Sequence, residues 1–115
     1  MDIDLLFAAV KQSEWRQVSE NGNLKPLVFN EDGYFRSFEG NNAEKILNHY
    51  FDGKDPILLI VLDPLRIQVP IKRINEDGFD LVAIQGEVSV DAIIDKIKIQ
   101  PDKKGRYSIN VKHFD

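Results

Sequence analysis

Few side chains in this sequence can do chemistry, and the most suggestive are Arg36, Glu87 and Asp91. Arg36 interrupts the aromatic run Tyr34-Phe35-Arg36-Ser37-Phe38, where a planar guanidinium can clamp a phosphate or carboxylate through two parallel hydrogen bonds. Glu87 follows Gly86 and precedes an apolar segment. From there a carboxylate can accept a hydrogen bond from a ribose hydroxyl or stabilise a developing cation. Each residue also has a plainer and commoner reading: an arginine on the polar side of a strand, and a glutamate at the edge of a loop.

Other chemistries find no support. The two histidines, His49 and His113, stand in no metal-binding spacing with each other, and the chain has no cysteine. His49 falls within an amphipathic segment, where an imidazole near a helix end interacts favourably with the helix dipole. The seven glycines are scattered, so neither a phosphate-cradling loop nor a dinucleotide fingerprint is present. No serine carries the flanking glycines of a nucleophile elbow. The near-repeat Asn30-Glu31-Asp32-Gly33-Tyr34 and Asn75-Glu76-Asp77-Gly78-Phe79 lacks the alternating oxygen ligands and the downstream glutamate of a calcium loop, so it reads as two turns.

Any site must be positioned by one core. A chain of 115 residues, 43% apolar and 30% charged, has the size and composition of a single globular domain spanning residues 1–115. The absence of cysteine fits a reducing compartment, the acidic start lacks the charge layout of a signal peptide, and the longest apolar run is too short to span a bilayer. The cytoplasm is the expected location, with no membrane as partner. Residues 96–115 hold 6 basic and 2 acidic groups, whereas the remainder holds 9 basic and 17 acidic. The acidic body argues against nucleic acid, and the basic segment reads as a solvated hairpin.

The elements follow from periodicity. Residues 3–10 form an apolar run of strand length. Ser13 is a plausible N-cap for a short helix carrying Trp15 and Val18, stopped near Asn21-Gly22. Beyond Lys25-Pro26, Leu27-Val28-Phe29 and the turn at residues 30–33 lead to a strand over residues 34–38. Ala43, Ile46, Leu47, Tyr50 and Phe51 recur at helical spacing. Residues 57–62, bracketed by Pro56 and Pro64, lack polar alternation and predict a central strand covered on both faces. Val69-Pro70-Ile71 and Ile74 predict a strand near an edge, and another follows near residues 81–85. Residues 88–94 suit either a helical turn or a strand. Ile97 and Ile99 alternate with Lys96 and Lys98, and residues 102–105 can turn the chain into a C-terminal hairpin strand over 107–111. Strands outnumber helices without βαβ alternation, so the class is α+β.

Taken in order, Ser13-Glu14-Trp15, Lys25-Pro26, Gly33-Tyr34-Phe35, Leu58-Leu59-Ile60 with Asp63-Pro64, and Gly86 with Asp91-Ala92-Ile93 resemble the bacterial family known as domain of unknown function 952, over roughly residues 5–100. The resemblance implies an ADP-ribosyltransferase-like fold, a split antiparallel sheet with two helices, whose cleft holds NAD in the enzymes. Family histidines fall here on Ala8, Arg36 and Ala83, and a family tyrosine on Gln85, which removes hydrogen-bonding and proton-transfer capacity from that cleft.

Gln85-Gly86-Glu87 resembles the glutamine-any-glutamate signature of some ADP-ribosyltransferases, which makes Glu87 the candidate catalytic residue. Arg36, Tyr34, Ser37 and Gln85 are the candidate ligand-binding residues. The expected function is that of a non-catalytic or ligand-binding relative taking a small anionic or nucleotide-like molecule. No metal is expected, and NAD enters by fold analogy only. The alternatives are a weak NAD-dependent ADP-ribosyltransferase using Glu87, and a protein-interaction module contacting its partner through the acidic body or the basic segment.

Overall fold

The computed structural model describes residues 5–19, 22–24 and 35–109. Eight strands and two α-helices occur among them: β1 Leu6–Lys11, α1 Trp15–Val18, β2 Asn23–Leu24, β3 Phe35–Glu39, α2 Ala43–Tyr50, β4 Ile57–Leu62, β5 Ile71–Glu76, β6 Phe79–Ile84, β7 Val88–Ser89 and β8 Ile93–Ile99. The domain is α+β. Six strands form an antiparallel sheet in the order β5-β6-β3-β1-β4-β8, and β2 pairs with β7 in a separate ribbon.

The sheet is two three-stranded halves with a narrow join. β1 pairs with β4 over all six of its residues, from Leu6↔Leu62 to Lys11↔Ile57. With β3 it pairs only at Leu6↔Glu39 and Phe7↔Phe38. The rings of Phe7 and Phe38 stack across that join with centroids 6.4 Å apart.

Side chains alternate between the faces of a strand, so each apolar run feeds two cores. On one face, α2 lays Ala43, Ile46 and Leu47 against Phe7, Phe38, Leu59, Val61 and Leu81. On the other, Leu6, Ala8, Val10, Phe35, Ile60, Leu62, Val82 and Ile84 pack with Val88 and Ala92, and Trp15 leans on this layer. β4 contributes to both layers, as its unbroken apolar sequence predicted.

β5 is an edge strand that starts just after Pro70, where a missing N–H is harmless. It turns into β6 through Asp77-Gly78, both at positive φ (55 and 84), between the pair Glu76↔Phe79. This is the two-residue hairpin turn whose twist matches its strands, and it is the second copy of the Asn-Glu-Asp-Gly sequence. The first copy, Leu27-Val28-Phe29 and Tyr34 lie outside the described residues.

Three expectations change. Ser13 does not cap α1; it sits inside a 3-10 turn over Gln12–Glu14, and Glu14 occupies the cap position without a side-chain hydrogen bond. Residues 88–94 are neither wholly helical nor wholly extended, but run from β7 through a 3-10 turn at Val90–Ala92 into β8. The C-terminal hairpin strand does not form over residues 107–109. Tyr107 is drawn into the helix-side core instead, 1% exposed, and its hydroxyl donates to Asp55 O at 2.7 Å. Asn48 of α2 holds its backbone like a strand partner, Oδ1 accepting from Tyr107 N at 2.8 Å and Nδ2 donating to Tyr107 O at 2.9 Å. Residues 110–111 of that predicted strand lie outside the described residues.

The turn that delivers Tyr107 presses Gly105 against Gly53. A Cβ built on Gly53, whose φ is +76, would lie 2.1 Å from Gly105 O. Gly53→Ala therefore meets both a left-handed backbone penalty and an unavoidable backbone clash, together about 3 kcal/mol. Chemical denaturation should show that loss as a lower midpoint at unchanged slope.

Candidate functional site

Of the residues singled out for chemistry, Arg36 lies on one side of the sheet and Glu87 and Asp91 on the other. Arg36 shares the α2 face with Phe38, as its place two residues away on β3 requires. It is only 9% exposed, and Glu76 of β5 engages its guanidinium through both Nε and Nη2, the latter donating to Oε2 at 3.2 Å. A buried guanidinium must be paired. Here the pairing ties the first half of the sheet together, and the anion-clamp geometry expected of Arg36 is taken up inside the protein.

Around this pair stands a polar patch at the end of α2. Tyr50 donates its hydroxyl to Asp77 Oδ2 at 2.8 Å, and His49 Nε2 lies 3.7 Å from the same oxygen. The rings of His49, Tyr50 and Phe79 are packed together, with centroids 4.6 to 6.2 Å apart. Burial pushes the Tyr50 phenol up to about 12, reinforced by the hydrogen bond to Asp77 and the negative charge of Asp77 and Glu76.

Glu87 belongs to an open groove of about 770 Å³ on the other side. One wall is the segment after β4, carrying Leu65, Arg66, Gln68 and Val69; the other is the segment after β6, carrying Glu87, Ser89 and Asp91. Val69 packs on the layer opposite α2. The walls are fastened to each other: Asp63 N donates to Ala92 O at 2.9 Å, and Arg66 Nη1 donates to Asp91 O at 3.1 Å. Close approach depends on Gly86, since a Cβ there would come within 2.9 Å of Val69 Cγ1.

The wall bearing Arg66 is itself a built turn. Pro64 opens a 3-10 turn over Pro64–Arg66, and Asp63 caps it by accepting from Leu65 N at 2.9 Å. Asp63 also lies 3.6 Å from Arg66 Nε. On the facing wall Ser89 Oγ accepts from Asp91 N at 3.2 Å and starts the second turn.

Among the described residues, Arg36 and Glu87 do not come together in the single cleft expected of them. Ser37 is fully buried, its hydroxyl donating to Val82 O at 2.8 Å, so it offers nothing to a ligand. Gln85 is exposed just past β6 and does not line the groove, and Tyr34 lies outside the described residues. Of the predicted residues that are described, only Glu87 lines the groove, joined there by Asp91. Sequence reasoning missed Arg66, Gln68 and Ser89. The available signals were Asp63-Pro64, an N-cap followed by proline, and Ser89 two residues before Asp91, both turn formers that bring polar groups together. Among the described residues no group of three or more His, Cys, Asp and Glu is placed to hold a metal ion, and no helix is long and apolar enough to cross a membrane.

An α+β domain with a six-stranded antiparallel sheet and this order of elements has solved counterparts. The crystal structure of protein CC0527 from Caulobacter crescentus superposes with a TM-score of 0.79 at 14% identity, covering 96% of this chain and 97% of that one. A double mutant of the same protein gives the same values. Its solution NMR structure gives a TM-score of 0.72 at 17% identity, with 95% of each chain covered. At such identities the likeness shows a common fold. No family model and no curated protein matches the chain.

Two outcomes test the patch around Arg36. Glu76→Gln leaves the guanidinium buried with a weaker partner and should lower unfolding free energy by about 2 kcal/mol, below the figure for a fully buried pair because Glu76 is 39% exposed. The second outcome is alkaline. A phenol whose pKa is raised in the folded state contributes stability that is intact below its unfolded value near 10 and falls as pH rises toward about 12. Tyr50→Phe should flatten the decline of melting temperature across that window.

Proposed function

We propose that this chain is a non-catalytic, ligand-binding member of the family known as domain of unknown function 952, with an ADP-ribosyltransferase-like sheet, and that the Glu87 groove is its binding site. The ordered motifs from Ser13 to Ile93, the two-halved antiparallel sheet and the fold shared with a bacterial protein support that reading. The observation that carries it is the composition of the groove. It brings one guanidinium, two carboxylates, an amide and a hydroxyl to a cavity large enough for a small molecule.

The ligand is small and anionic or nucleotide-like. Arg66 takes the anion-binding role first given to Arg36, while Glu87 and Asp91 accept from hydroxyl groups. Supporting a binding rather than a catalytic role, Glu87 is exposed on an open groove, and Ala8 and Ala83 stand where the family carries imidazoles.

Thermal unfolding with NAD, ADP-ribose and inorganic phosphate tests this. A ligand at tenfold its dissociation constant stabilises by about 1.4 kcal/mol, which for a domain of this size is a rise of roughly 5 °C. The rise should disappear in Arg66→Ala and shrink in Glu87→Gln. No response to any of the three at millimolar concentration removes the proposal. Because Glu87 does line a groove, an NAD-consuming transferase is the second reading; release of nicotinamide from labelled NAD that Glu87→Gln abolishes would establish it, and an unchanged nicotinamide signal would remove it.

A further inference from the structure

Leu65 is 93% exposed, against 39% for Leu5 and 55% for Ile94, the other large apolar side chains exposed among the described residues. A single leucine at a surface needs no explanation. This one differs in what carries it and in what lies beside it. Its turn is capped by Asp63, closed by Arg66 N donating to Asp63 O at 3.0 Å, and pinned to the facing wall through Asp63 N and Arg66 Nη1. A turn fixed at so many points holds the side chain away from the body.

Leu65 itself lines the groove, with Val69 as the other apolar residue there, Arg66 on the same wall and Asp91 on the facing one. The patch thus carries an exposed apolar knob, one apolar wall residue in an otherwise polar groove, and a cation next to an anion. A surface of that kind complements itself, which is what an isologous two-fold contact requires.

We infer that a second copy of this chain docks here. Leu65 of each copy enters the groove of the other against Val69, and Arg66 of each copy faces Asp91 of the other. The inference goes beyond ligand binding and does not rest on it: a ligand and a second copy compete for one groove, so association is measured without ligand.

Sedimentation velocity on the full chain over a concentration series reads it directly. The dimer fraction should rise with concentration, and Leu65→Ser, a change at an exposed position, should raise the dissociation constant about 30-fold, through the loss of two interface anchors, one from each copy. Arg66→Glu and Asp91→Lys should each weaken association, and an equimolar mixture of the two should restore it, because the exchanged charges pair again across the two-fold axis. Arg66 also pins the turn. If Arg66→Glu unfolds, Asp91→Lys and Leu65→Ser still decide. A monomer at every concentration overturns the inference, and so does a dimer that Leu65→Ser leaves intact. Folded variants whose mixture fails to associate also overturn it, by removing the two-fold arrangement.

Discussion

Two residue pairs, Leu6↔Glu39 and Phe7↔Phe38, are the hydrogen-bonded join between the halves of the main sheet. So short a ladder cannot align six strands by itself. Packing on both faces completes the join: Phe7, Phe38 and the apolar stripe of α2 on one side, and Leu6, Ala8, Val10 and Phe35 on the other. Where β1 and β3 cease to pair, side chains take over from the backbone, which is why this region is so densely apolar. The same constraint explains Arg36. A charge on β3 beside the join must be neutralised within the sheet, and Glu76 at the end of β5 supplies the carboxylate.

Much of this was legible from residue order. Ile57–Leu62 reads as a strand covered on both faces because it has no polar alternation, and it lies between β1 and β8 with residues in both cores. Pro70 marks the start of an edge strand because proline cannot donate to a ladder, and Asp77-Gly78 marks a hairpin because both positions accept positive φ. These signals are local, and local signals are what a sequence displays.

The misreadings concern contacts between distant residues. The alternation after residue 105 resembles a strand, but Asn48, some 59 positions away, offers an amide that satisfies the backbone of Tyr107 without one. Arg36 looks like a ligand clamp until Glu76, 40 positions on, is seen to hold it. Glu87 looked like its partner across a cleft, and alternation within β3 sends Arg36 to the other side of the sheet. The groove was half visible: Glu87 and Asp91 stood out by type, whereas Arg66 and Gln68 arrive there through a turn that only the fold brings opposite them.

The strand order has a kinetic consequence. In the main sheet, β5 and β6 are consecutive partners joined by a two-residue loop, and β1 meets β4 only after about fifty intervening residues have been brought round. Closing loops of that length loses chain entropy before any contact repays it, so topologies rich in distant pairings fold slowly. The hairpin can assemble within microseconds, while the pairing of β1 with β4 has to wait for the long-range search. The region around Asp77 is thereby a natural early-formed template, onto which the strands paired across the longest stretches of chain are added later.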